Sequence, residues 1–374
     1  MLLICLHVGC TGHIFGGDGA PADRPSDLPD ASCPECTPAP SVCGDGACGA
    51  AESCGTCAED CGDCPTLQPG APSLGGCELL PANNILNTVI AGAPVHARSA
   101  EWIARMREVS GPHPGAGASA AAWMGSRGGI PVNIGGVART LSLDGSYGQP
   151  TTAFTTVMPT APRMEGEPNP AGAWDMHVLV IDPEPCELLE HIHYRYDVLR
   201  QWLTGGSVRW DLSSNSLSTP IVPGGAAAEA AGLPMVPLIY RYDEVAAGEV
   251  RHPLRIAGDS IHKGTFLWPA RSSDGRDENE NAMPMGARIR LRAGTDLSGL
   301  GPQARVIAEA LKTYGMIVAD STGDGQGWGL GGEGDERWDD ADLATLSTLD
   351  LADFDVVDVE GWKVSDDSLA AEPR

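Results

Sequence analysis

Between residues 77 and 364 the apolar positions come in short bursts rather than in long helical stripes. His177-Val-Leu-Val-Ile-Asp182, Ser207-Val-Arg-Trp-Asp-Leu212, Gly264-Thr-Phe-Leu-Trp268 and Arg288-Ile-Arg-Leu-Arg292 are short apolar or alternating runs bounded by Gly, Pro, Asp and Ser, and each predicts a β-strand. In the last of them Arg288, Arg290 and Arg292 alternate with Ile289 and Leu291, so the three guanidinium groups are expected along one face. Helical spacing occurs twice. Ser99 opens a stretch with Trp102, Ile103 and Met106 on one side, and residues 303–314 repeat Val306, Ile307, Ala310 and Leu311 before running into Met316-Ile-Val-Ala-Asp320, a buried strand that ends in a carboxylate. Pro and Gly punctuate residues 111–117, 148–172, 219–234 and 269–287, which predicts long loops of the kind that carry sites on a rigid sheet. The expectation is a β-rich fold, mainly β or α+β with few helices, in a single large antiparallel-sheet domain over residues 77–364.

The N-terminal region is built differently. Residues 1–10 form a short apolar run that reads as a signal peptide, and residues 11–32 and 65–76 are Gly-, Pro- and Asp-rich linkers. Eight cysteines crowd into residues 33–64, a stretch too poor in large apolar residues to bury a core, so cross-links must supply its order. Its C-x2-C spacings also suit zinc, but an exported chain meets oxidant first, and a disulfide-rich module is expected. Leu6 to Cys10 resembles the lipobox of bacterial lipoproteins, which implies lipidation at Cys10, with a plain secretory signal as the alternative. The stretch from Cys43 to Cys64 resembles a CGDGxC-type cysteine-rich repeat of secreted, multidomain bacterial surface proteins. Both resemblances imply a protein that is secreted or held at the outer cell surface.

Cys77 and Cys186 are the only cysteines of the main domain, and a disulfide between them would clamp its entrance to its sheet. The net charge is −26, and half of it arises in residues 320–374, where sixteen acids face three bases. That distribution argues against nucleic acid and anionic membrane as partners. Residues 365–374 are set apart as an acidic tail, and a monomer is expected. Leu80-Pro-Ala-Asn-Asn-Ile-Leu-Asn87, Asp175-Met-His-Val-Leu-Val-Ile-Asp182, Trp210-Asp-Leu-Ser-Ser-Asn215, Tyr242-Asp-Glu-Val-Ala-Ala-Gly-Glu-Val-Arg-His252 and Tyr314-Gly-Met-Ile-Val-Ala-Asp320 resemble a family of uncharacterised secreted bacterial proteins. That resemblance runs from Cys77 to about Asp358; it implies one extracellular domain and supplies no mechanism.

Three constellations carry candidate chemistry. Asp175 with His177, and His191 with His193, are spaced to share strand faces and so to offer a metal site of D-x-H plus H-x-H type. Arg251 and His252 suit proton abstraction beside a carboxylate, as in a polysaccharide lyase acting on uronates. Carboxylates at strand ends and in loops, among them Asp175, Glu187, Glu190, Asp211, Glu244 and Asp320, suit the acid and base of a glycoside hydrolase. Tryptophans 123, 174, 202, 210, 268, 328 and 338 are candidate stacking platforms for sugar rings. Residues 320–325 match part of a calcium loop, with Asp320 and Asp324 as ligands, but Gly331 stands where the loop's closing glutamate belongs. No cofactor beyond calcium is implied. There is no G-x-S-x-G elbow, P-loop or dinucleotide fingerprint. The leading expectation is a glycan-cleaving enzyme whose cleft gathers Asp175, His177, Glu190, Arg251, His252 and Asp320. The alternative is a non-catalytic module that binds carbohydrate or another envelope component through a shallow aromatic face.

Overall fold

The computed structural model describes residues 71–115, 125–167, 175–198, 201–221, 227–323 and 325–373. The signal segment, Cys10, both linkers up to residue 70, the 33–64 module and Asp324 lie outside the described residues. Eighteen strands and four α-helices are present among the described residues, so the chain is β-rich. Antiparallel pairs predominate, but they are shared among three larger sheets rather than one.

The first sheet has the order β11-β10-β7-β6-β3, formed by β3 (Val132–Ile134), β6 (Val178–Asp182), β7 (Glu187–Ile192), β10 (Gly206–Asp211) and β11 (Thr219–Pro220). The run at 178–181 is apolar at every position because both faces of β6 are covered. Leu179 and Ile181, with Leu188 of β7, face the main core, whereas Val178 and Val180, with Leu189, face a second, smaller core. That second core is closed by the sheet β5-β4-β9-β8, made of β4 (Val137–Leu143), β5 (Ala153–Met158), β8 (Arg195–Asp197) and β9 (Gln201–Thr204). Leu141, Leu143, Phe154 and Met158 are its contribution.

The third sheet runs β17-β12-β16-β15-β18, with β12 (Leu254–Gly258), β15 (Arg288–Leu291), β16 (Met316–Ser321), β17 (Trp328–Leu330) and β18 (Phe354–Val357). Only β12 and β16 are parallel in it. Helix α1 (Ser99–Ser110) buries Trp102, Ile103 and Met106 and lies against β18. Two further helices are short, α2 (Tyr242–Ala246) and α4 (Asp340–Leu343); between them α3 (Pro302–Thr313) buries Ala304, Ile307 and Leu311 and packs on β15. The small pairs β1 (Ser73–Leu74) with β2 (Cys77–Glu78), and β13 (Ile261–Phe266) with β14 (Met283–Met285), complete the set.

Three expectations change on contact with this fold. The strand anticipated at 264–268 lies earlier, at Ile261–Phe266. The arginines of β15 are structural: Arg288 donates to the carbonyls of Tyr314, Ile85 and Thr88, Arg290 to those of Ile90, Ala91 and Ala93, and Arg292 reaches Asp355. The Arg288 and Arg290 guanidinium groups thus satisfy carbonyls of the 85–93 segment, which lies outside the sheets. Part of the stretch set apart as a tail packs onto the body, with Leu369 and Ala371 buried and bridges from Ala370 to Asn84 and from Ser368 to Ser216.

Cys77 and Cys186 form a disulfide with Cα atoms 5.5 Å apart. It closes a loop across a sequence separation of 109, which by loop-closure entropy stabilises the fold by about 4–5 kcal/mol.

Candidate active site

At the carboxyl end of the parallel pair β12/β16 the register slips, so that Ile256 faces Val318 but Ala257 faces Asp320. The bulge sets Asp320 beside Arg255 of the neighbouring strand, at the strand end where open sheets expose their ligand sites. Arg255 is buried and forks onto two carboxylates. Its Nε donates to Glu229 Oε2 at 2.7 Å and its Nη2 to Glu229 Oε1 at 3.2 Å, and Nη2 also binds Asp320 Oδ2. Glu229 is itself buried, whereas Asp320 keeps 15 % of its side chain exposed to a cleft.

That cleft has a volume of about 500 Å³ and is lined by Tyr147, Asp175, Glu229, Ser273, Asp274, Asp320 and Ser321, among others. Ser321 Oγ donates to Asp274 Oδ2 at 2.7 Å. Asp175 enters from the segment preceding β6, its side chain about half exposed, with His193 Nε2 3.7 Å from its Oδ1. Behind it His177 is buried between two acceptors, Glu165 Oε2 at 2.6 Å from Nδ1 and the Ala228 carbonyl at 2.8 Å from Nε2. Burial alone would lower the His177 pKa, but the Glu165 carboxylate outweighs it and holds the imidazole up at about 10, so both nitrogens carry protons.

Two of the cleft's carboxylates are pushed in opposite directions. Burial drives Asp320 up to about 8 against the pull of Arg255, and the charges of Glu229, Asp274 and Asp175 add to the rise. One guanidinium cannot serve two buried carboxylates as fully as one, and Glu229 is raised too, again chiefly by burial. Asp175 is held below the ordinary carboxylate range, first by His193, then by His177 and Arg255, although partial burial opposes them. The Tyr147 phenol is pushed up to about 12 by burial and by the neighbouring aspartates. Its ring is half exposed to the cleft and stacked on His193 with centroids 5.6 Å apart.

Of the six residues expected in one cleft, Asp175 and Asp320 line it and His177 backs it. The other three are elsewhere. Glu190 is fully buried, accepting from Trp210 Nε1 at 2.9 Å and the Met235 amide at 2.6 Å, with burial raising its pKa to about 7. Arg251 and His252 precede β12, at the end remote from Asp320. Arg251 lines a different hollow with Arg241, Glu244 and Glu249, and the buried His252 has Nε2 3.2 Å from Glu244 Oε2 and Nδ1 2.8 Å from the Pro253 carbonyl. The D-x-H plus H-x-H arrangement does not assemble either, because His191 is buried against Ser207 Oγ while His177 is taken by Glu165. Trp210, Trp268, Trp328 and Trp338 are core residues, Trp123 and Trp174 lie outside the described residues, and the aromatic ring at the cleft is Tyr147. In the proposed calcium loop the amides of Gly325 and Gly327 donate to Asp259 Oδ2, and Asp320 is engaged by Arg255. Among the described residues no group of three or more His, Cys, Asp or Glu is gathered for a metal.

A larger cleft, about 1050 Å³, lies near Arg127, Arg163 and Arg337. Arg337 is paired there with Asp335 and Asp243, and Arg163 donates to the Gly334 carbonyl; it holds no acid and base pushed apart as in the smaller cleft. Sequence reasoning passed over Glu229, whose signal was a lone carboxylate within Ala226-Ala-Ala-Glu-Ala-Ala231. A charge in so apolar a run needs a buried partner.

Comparison of the chain with protein-family models, with curated proteins and with solved structures finds no match in any of the three. The functional reading therefore rests on the cleft.

Proposed function

We propose that the protein is an extracellular glycan-cleaving hydrolase in which Asp320 is the general acid and Asp175 its ionised carboxylate partner. The observation that carries this reading is the opposite displacement of the two pKa values within one cleft. A glycosidase needs one carboxyl that keeps its proton and another that has lost it. Asp320 gives its proton to the glycosidic oxygen as the C–O bond breaks, and the resulting carboxylate is received by the Arg255 guanidinium. Asp175 faces the developing positive charge of the sugar ring and serves either as the base for water or as the nucleophile. The half-exposed Tyr147 ring supplies an apolar platform for a pyranose, and the hydroxyls of Ser273 and Ser321 stand at the same walls. Engagement of His252 by Glu244 favours hydrolysis over a lyase step that would need that histidine as a base. The Cys77–Cys186 disulfide is consistent with an oxidising compartment.

The test is an assay of the full chain against a panel of soluble polysaccharides, following reducing ends and the ultraviolet absorbance of unsaturated uronates. Reducing ends without absorbance are expected, with kcat/KM falling as the pH rises through about 8, where Asp320 loses its proton. Asp320→Asn and Asp175→Asn should each lower kcat by about 10²–10⁴-fold. Retention on an immobilised glycan without bond cleavage, undiminished in both variants, would replace the hydrolase by a non-catalytic binding module.

A further inference from the structure

The acid and base roles leave His193, beside Asp175, unused, and the fold holds it in an unusual way. It follows β7 directly with φ +55°, and Met176, beside Asp175, has φ +52°. Left-handed backbone at two non-glycine residues costs about 1–3 kcal/mol each and persists only where the surroundings enforce it. Here the enforcement is a backbone clasp, in which the His193 amide donates to the Asp175 carbonyl at 2.7 Å and the Tyr194 amide to the Met176 carbonyl at 3.2 Å. The imidazole is clamped on one side by the Tyr147 ring. Gly205 lies against the edge that the two rings share, where an added Cβ would fall 2.9 Å from His193 Nδ1 and 3.2 Å from Tyr147 Cε2. Behind it, Arg195 donates to the His193 carbonyl at 3.2 Å and is itself anchored on Asp144 at 2.6 Å.

We propose that His193 is the positioning residue of the cleft, fixing the backbone of Asp175 through the clasp and aiming and holding its carboxylate through the Nε2 edge. The assignment rests on the reading of Asp175 as the ionised partner, but its direct consequence can be measured without turnover. The charged and titratable groups facing Asp175 are His193, His177, Arg255, Asp320 and Tyr147. Of these, His193 contributes most to holding the carboxyl down, so removing its ring lets the Asp175 pKa rise.

The experiment is a pH titration of the full chain carrying ¹³C-carboxyl aspartate, with the Asp175 resonance assigned by its absence in Asp175→Asn. In His193→Gln the Asp175 midpoint is expected at higher pH than in the wild type. Gly205→Ala, which keeps the histidine and displaces its ring, should move it the same way, and Tyr147→Phe, which keeps the stack, should leave it in place. An unchanged midpoint in His193→Gln overturns the proposal. In the hydrolytic assay His193→Gln should raise the acidic limb of the pH profile and leave the limb near pH 8 unmoved; both limbs moving together would mean a merely structural role and would also overturn it. If the wild type cleaves no glycan, the hydrolase reading falls while the titration still decides the role of His193.

Discussion

The two ends of β12 carry nearly the same set of residues and do opposite things with them. Before the strand, Glu244 receives the Arg241 guanidinium and the His252 imidazole, with all three largely buried. Toward its carboxyl end the side chain of Arg255, which stands near the start of the strand, is shared by Glu229 and Asp320, with Asp175 and Asp274 close by. In the first cluster burial would raise the carboxyl, but one acid is held first by the Arg241 guanidinium and then by the His252 imidazole, and its pKa ends below the ordinary value. In the second the acids outnumber the cation, and both of its carboxyl partners are raised. Both clusters set a buried arginine against buried carboxylates; stoichiometry decides which cluster is inert scaffolding and which keeps a proton available near neutral pH.

The sharpest way to break this contrast is to remove the shared cation. Arg255→Ala would strand Glu229 in the interior, and a loss of about 3–5 kcal/mol is expected, read as a drop in the denaturant midpoint. Removing the acid of the other cluster should cost less. Glu244→Gln keeps a hydrogen-bond acceptor for Arg241 and His252, so a loss of about 1–3 kcal/mol is expected, with hydrolysis per folded molecule unchanged. A third effect has the opposite sign. Asp320 binds its proton more tightly folded than unfolded, so as the pH rises from the ordinary carboxylate range to about 8 the native state loses stability relative to the unfolded chain. Asp320→Asn removes that loss. Its Tm should match the wild type near pH 4 and exceed it at pH 9, and equal values at both pH settings would show that Asp320 carries no raised pKa.

The strands β6, β10 and β16 were legible because unbroken or alternating apolar runs bounded by turn residues have few other uses. Asp175 and Asp320 could be picked out for the same reason, as carboxylates next to such strands. That they share a cleft was expected, but what brings them together was not legible, since it depends on a parallel pairing of segments some sixty residues apart and on a bulge that periodicity does not encode. Arg251 and His252 misled because adjacency in sequence suggested a joint role. Tertiary packing instead gives His252 to a buried glutamate and leaves Arg251 at a different hollow. For Arg288, Arg290 and Arg292 the residues were rightly read as a strand, but their partners are carbonyls about two hundred residues earlier for the first two. Long side chains that reach irregular backbone leave no local signature.

The Cys77–Cys186 cross-link also has a mechanical meaning. When tension is applied along the chain from residue 76 outward to residues beyond 186, the covalent load path runs through the two sulfur atoms and bypasses residues 78–185. Helix α1, the sheet-forming segments β3 to β6 and the Asp175 shoulder of the cleft all lie within that shielded length. Pulling on the N-terminal side therefore strains the hairpin turn between β6 and β7, and the covalent load bypasses the segment that carries Asp175 until the bond is reduced.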